Sequence, residues 1–236
     1  MRLFTDTLQV NDEEMALYGT MPDGSGPFAA VVVIQHAGGV DPFTRAMVDR
    51  LAEAGYAAVA PDLYHRLDPN LGATEKRQQL KDIEIIADAD ATVDFLRDHD
   101  VIDRERLGIT GFCMGGRVVY LMAAANSHFK VAVAYYGGNI MVPWGDGVQA
   151  PFARTQEIAC PLMFHFGEED TNPSPEDMRT LDEELARHGK AHEFYSYPGA
   201  GHAFMDFSNP QRYREAADKT SWPRTLDFFG KHLSEK

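Results

Sequence analysis

Residues 107–126, LGITGFCMGGRVVYLMAAAN, hold the reading on which the rest of the chain depends. LGITGF is short and apolar with β-forming residues, the pattern of a buried strand, and MGGRVVYLMAAAN directly behind it reads as a helix. Cys113 stands between them in Gly111-Phe112-Cys113-Met114-Gly115, a G-x-C-x-G at a strand-to-helix turn. This is the nucleophile-elbow pattern with Cys in place of Ser. A turn that sharp requires small residues two before and two after its centre, so that the strand and helix backbones can approach. Cys113 then sits at a helix N-terminus, where free N–H groups and the positive end of the dipole favour a thiolate or an oxyanion. The competing reading is a buried structural cysteine in a glycine-rich turn.

Strand and helix patterns alternate on both sides of this turn. AAVVVIQ at 29–35 is a continuous β-branched run, as expected of a strand buried on both faces. Phe43, Met47, Val48 and Leu51 follow Pro42 at helical spacing, and Gly55 supplies a stop. YAAVAPDLY at 56–64 is a second strand, and residues 74–98 are predicted as one amphipathic helix. Beyond the elbow come strands at 130–138 and 161–167, a helix over 175–188, the strand HEFYSY and a final helix over 211–233. Such alternation requires parallel pairing with long crossovers, which places helices on both faces of one sheet. A single α/β domain over residues 1–236 is expected, with a mostly parallel central sheet. The irregular segment 139–157 is expected to border the site.

In open α/β sheets, ligands bind beyond the carboxyl ends of the strands. Asp170 follows the strand at 161–167, and His202 lies in a Gly-rich loop after HEFYSY. Cys113, Asp170 and His202 thus stand in the order nucleophile, acid, base, at three strand ends that converge on one crevice. Glu168 and Glu169 compete with Asp170 for the acid position, but the shorter Asp170 makes the more rigid orienter. His165, inside a strand, is expected to be a packed core histidine. Oxyanion donors are expected at the backbone N–H of Met114 and of Ala37, the latter in the HAGG loop at 36–39, similar to the HGGG-type loop of esterases.

The chain has 236 residues, with 22 Lys+Arg against 36 Asp+Glu, a formal charge of -14. That field repels nucleic acid and anionic lipid, so neither is an expected partner. The two cysteines, Cys113 and Cys160, are too few and wrongly spaced for a disulfide framework or a zinc site. No signal-like or membrane-length apolar run is present, and a cytoplasmic location is expected. The remaining histidines lack ligand pairing, so no metal and no cofactor are expected. A monomer is the default, with a dimer open.

GFCMGGR at 111–117, APDLY at 60–64, the GEED and GAGHAF turns and the tail YREAADKTSWPRTLDFF together resemble the dienelactone hydrolase family of α/β-hydrolases, over nearly the whole chain. The resemblance implies metal-free hydrolysis of a small-molecule lactone or ester, with the nucleophile on Cys113, the acid on Asp170 and the base on His202. The chain departs from the family pattern at two positions. His36 stands where the pattern has a Glu beside the resting thiol, and is expected to hydrogen-bond the thiol or contact the leaving group. Asp206 lies where the pattern has a carboxylate-binding Arg, leaving Arg77 as a candidate cation or a solvent-facing helix residue. A general carboxylesterase or thioesterase, a non-catalytic binding protein and a redox sensor based on Cys113 are the other readings.

Overall fold

The chain opens on a hairpin that the sequence reading leaves unassigned, β1 (Arg2–Val10) and β2 (Glu13–Met21). From residue 28 onward the expected alternation is present in the computed structural model, which describes residues 1–234. Its strands are β3 (Phe28–Ile34), β4 (Ala57–Pro61), β5 (Ile102–Phe112), β6 (Phe129–Tyr135), β7 (Leu162–Gly167) and β8 (His192–Tyr197). Its helices are α1 (Pro42–Glu53), α2 (Ala73–Gln79), α3 (Asp82–Asp98), α4 (Met114–Ala125), α5 (Pro175–Arg187) and α6 (Glu215–Leu233). The sheet order is β1-β2-β4-β3-β5-β6-β7-β8. Strands β3 to β8 pair in parallel, whereas β2 joins β4 antiparallel and pairs with β1 at the edge.

Alternation along β3 explains the layers. Ala30, Val32 and Ile34 face a core shared with α3, α4 and α5, while Ala29, Val31 and Val33 face one shared with α1 and α6. Successive strand side chains point to opposite faces, so a continuous apolar run is what a strand covered by helices on both sides requires. The opening hairpin lacks that signal because most of β1 is exposed.

The helix expected over 74–98 is two helices. The break falls at Leu80–Lys81 because Asp82 is drawn into the interior. Its N–H donates to the Trp144 carbonyl (2.8 Å), and its carboxylate receives both terminal nitrogens of Arg117 (2.6 and 2.9 Å). A continuous helix would forfeit these bonds. The irregular segment after β6 contains a 3₁₀ turn, Pro151–Glu157.

The junction of β5 and α4 is the tightest point of the fold. A Cβ on Gly111 would overlap the Gly115 carbonyl, and one on Gly115 would overlap the Ile34 carbonyl of the neighbouring strand. Both obstacles are backbone, which cannot rotate away. Gly115→Ala is therefore expected to lose at least about 1–3 kcal/mol, the usual cost of overpacking, read as a lower urea midpoint at unchanged slope. A wild-type midpoint would contradict the close approach.

Candidate active site

Cys113 occupies the turn with φ 57° and ψ −119°, a left-handed backbone conformation rare for a residue bearing a side chain. Its N–H donates to the Tyr135 carbonyl (3.1 Å), and its carbonyl accepts from Gly116 N–H (2.9 Å), so β6 and α4 together hold the bend. The thiol stands at the carboxyl edge of the sheet.

Two loops bring the other expected residues to it. His202 Nε2 lies 3.0 Å from Cys113 Sγ, and His202 Nδ1 lies 2.9 Å from Asp170 Oδ2. Asp170 is buried, and its other oxygen accepts from Asn172 N–H (2.9 Å). Glu168 bonds instead to Ser196 Oγ (2.8 Å), and Glu169 is exposed. The ring of Tyr136, itself at φ 38°, packs edge-on against the His202 imidazole at 5.3 Å.

This packing governs protonation. Burial of the sulfur works against the thiolate, but the His202 hydrogen bond and charge, the Met114 N–H and the nearby His36 outweigh it and hold Cys113 below an ordinary thiol. Burial of His202 likewise opposes its cation, but bonds to Asp170 and Cys113 prevail and raise its pKa. Each shift favours a thiolate–imidazolium pair. Cys160, by contrast, is pushed up to about 12 by burial, which makes it a poor resolving thiol.

Ala37 and Met114 both line a cleft of about 260 Å³ with Cys113 and His202. The Tyr64 hydroxyl links the two segments, 3.1 Å from the Ala37 carbonyl and 3.3 Å from Met114 Sδ. Of the two roles expected of His36, the bond to the thiol is not formed. Its Nε2 bonds Asp41 Oδ2 (2.8 Å) rather than the thiol, because Asp41 is the N-cap of α1, accepting Thr44 N–H (3.0 Å), and is within reach of the ring. Gly38 permits the pair, since a Cβ there would lie 2.6 Å from His36 Nε2.

Arg77 lines the cleft and is half-buried. Asp206 is buried outside the lining of the cleft and accepts from Ser208 N–H (3.1 Å). His165 is a packed core residue, bonded to Tyr197 and Thr225 hydroxyls (2.8 and 3.0 Å), with burial pulling its pKa down to about 3.

Trp144, Asn139 and Asn172 also line the cleft, none of them anticipated individually. Arg117 explains the first two. Fully buried, it donates to the carbonyls of Asn139 (3.1 Å) and Val142 (2.6 Å) and lies 3.8 Å from the centre of the Trp144 ring. Its place in GFCMGGR was the available signal, since a lone Arg on an apolar helix requires buried partners. Among the described residues no cluster of His, Cys, Asp or Glu is arranged to hold a metal ion, and no helix is long and apolar enough to cross a membrane.

A depressed thiol pKa predicts that iodoacetamide labels Cys113 with a pH midpoint below the ordinary thiol value of about 8.5. His202→Asn removes the bond and charge that lower it while burial remains, so the midpoint is expected to move upward. An unchanged midpoint in that variant would show that His202 does not set the thiol's protonation.

The dienelactone hydrolase family model matches residues 15–233. A "Putative carboxymethylenebutenolidase" of Methylorubrum extorquens is 32% identical over 229 residues, covering 94% of this chain and 78% of that protein. Another of the same name from Yersinia pestis is 32% identical over 234 residues, covering 96% of this chain and 87% of that protein. Among solved structures, a "Putative Dienelactone Hydrolase" from Klebsiella pneumoniae superposes with a TM-score of 0.88 at 30% identity, covering 98% of this chain and all of that one. With a matching α/β-hydrolase fold and family matches along almost its entire length, the chain belongs to the dienelactone hydrolase family and is a carboxylic ester hydrolase.

Proposed function

We propose that the chain hydrolyses a lactone or carboxylic ester through a Cys113–His202–Asp170 triad and a thioester intermediate. The observation that carries this reading is the contact of His202 with Cys113 Sγ at 3.0 Å and with Asp170 at 2.9 Å. The thiolate attacks the ester carbonyl, and the oxyanion draws hydrogen bonds from the N–H groups of Met114 and Ala37. Imidazolium His202 gives its proton to the departing alkoxide as the acyl–oxygen bond breaks, which leaves the acyl group on sulfur. An ester releases its alcohol here, whereas an opened lactone keeps the hydroxyl on the acyl chain, which stays on sulfur until hydrolysis. Water, deprotonated by now-neutral His202, attacks the thioester. Collapse of that second oxyanion expels the thiolate and frees the acid, with Asp170 holding one His202 tautomer throughout.

Substrate character follows from the cleft. Arg77 gives it a cation, and an ester or lactone bearing a carboxylate fits that charge. The carboxymethylenebutenolidase name carried by two relatives agrees with such a substrate. The partner is thus a small molecule, and no nucleic acid, membrane or cofactor enters the scheme. Location in the cytoplasm remains part of the same proposal.

Turnover of a chromogenic short-chain ester tests the chemistry. Cys113→Ala is expected to lose at least about 10³-fold in kcat, and Asp170→Asn about 10⁴-fold through the wrong His202 tautomer. His202→Asn should accumulate an acyl adduct visible as a mass increment on the peptide containing residue 113. Hydrolysis at the wild-type rate by Cys113→Ala would sink the reading. For the cation, Arg77→Met is expected to raise KM for a carboxylate-bearing ester about tenfold while changing KM little for a neutral one. Equal effects on both would remove Arg77 from substrate recognition.

A further inference from the structure

A second cleft of about 220 Å³ adjoins the one that holds Cys113, and Asn139 and Asn172 line both. Its walls combine five apolar side chains with Asn139, Asn172 and Asp177. Ile140, Met141 and Val142 come from the segment after β6, and Pro173 and Leu181 from the start of α5 and its approach. Met141 and Val142 are 38% and 49% exposed, adjacent in sequence, and turned to water beside the candidate nucleophile. Single exposed apolar residues mean little, but a concave apolar surface continuous with a reactive site marks a ligand.

Three features argue that this surface is built rather than incidental. Arg117 grips the carbonyls of Asn139 and Val142, so the segment is held from inside by a buried charge paired with Asp82. The one charged group on the lining, Asp177, is committed to a capping box: its carboxylate accepts the N–H and Oγ–H of Ser174, both at 2.8 Å. At the junction of the two clefts, Asn172 Oδ1 accepts the Asn139 N–H (3.0 Å), which satisfies those polar groups without a ligand. The apolar groups left open to a ligand are the side chains of Met141 and Val142, beside the amides of Asn139 and Asn172.

We propose that this cleft receives an apolar substituent of the ester substrate, of about the size of a phenyl ring or a branched short alkyl group. An engineered apolar cavity of about 150 Å³ accommodates benzene, and this one is larger at about 220 Å³. The inference rests on the Cys113 reading above and narrows its substrate class. The preferred molecule joins an acid group near Arg77 to an apolar group on the opposite arm, with the scissile carbonyl between them. The substituent gains affinity by releasing water from Met141 and Val142, the exposed apolar members of the lining.

Steady-state kinetics with p-nitrophenyl acetate, butyrate and phenylacetate, and with phenyl and benzyl acetate, test this and separate the acyl from the alcohol side. Wild type is expected to favour the larger member of one series by at least about tenfold in kcat/KM, since one methylene in an apolar pocket is worth about 10- to 200-fold. Met141→Asp, and independently Val142→Phe, which fills the cleft rather than polarising it, should bring that ratio close to one. Leu3→Asp, an exposed apolar position on β1 away from both clefts, should leave it unchanged. Absence of a size preference in wild type overturns the proposal, as does an unchanged ratio in both cleft variants. If hydrolysis still requires Cys113 in that case, the triad reading stands and only the subsite falls, whereas turnover by Cys113→Ala defeats the reading itself. If Met141→Asp instead converts a dimer to a monomer at unchanged selectivity, the cleft is a docking face for a second copy.

Discussion

A residue with a side chain is held at φ 57° where β5 turns into α4, and the whole site depends on that bend. Left-handed backbone is unfavourable for a non-glycine residue, so the conformation persists only because its surroundings over-determine it. Here the surroundings are backbone. Gly111 rests against Gly115, Gly115 rests against Ile34 of β3, and the Cys113 N–H is taken by Tyr135 of β6. Three adjacent parallel strands thereby fix one sulfur atom beyond the sheet edge, with the first N–H groups of α4 beneath it. His202 and Asp170 need only reach it from two loops, and the sheet twist and order bring those loops alongside.

A second constraint lies on the far side of the same helix. Arg117 is one turn beyond Cys113 and fully buried, bound to Asp82 by both terminal nitrogens and to two carbonyls of the segment after β6. Burying a guanidinium and a carboxylate is costly unless the geometry is complete, and here every partner is in place. One ion pair therefore joins the start of α3, the helix carrying the candidate nucleophile and the loop that forms the walls of both clefts. It also explains the break between α2 and α3. Arg77, on α2 before that break, lines the cleft.

Much of this was legible in the residues themselves. The β-branched run of β3, the glycines flanking Cys113 and the order of Cys113, Asp170 and His202 point to an α/β sheet and a convergent site, because strand periodicity and turn sterics act over a few residues. Of the three adjacent acids, Asp170 is the one the β7 loop turns inward to His202, while Glu168 and Glu169 face out. The opening hairpin escaped notice because one of its strands is mostly exposed and lacks a continuous apolar run. Asp206 sits near the base in sequence, yet its carboxylate is folded back onto Ser208. His36 has the chemistry to bond a thiol, but a helix N-cap five residues away claims it first.

The amino-acid order alone determined the alternation of strands and helices from residue 28 onward, where the elbow lies and which three side chains stand at the strand ends, since each follows from local backbone preference or parallel topology. Tertiary structure alone decided the partners of His36 and Arg117, the split between α2 and α3, and the paired clefts on either side of Asn139 and Asn172. Except for His36, whose partner is five residues away, those outcomes turn on groups far apart in the chain meeting in the folded interior, at distances that no spacing along the sequence encodes.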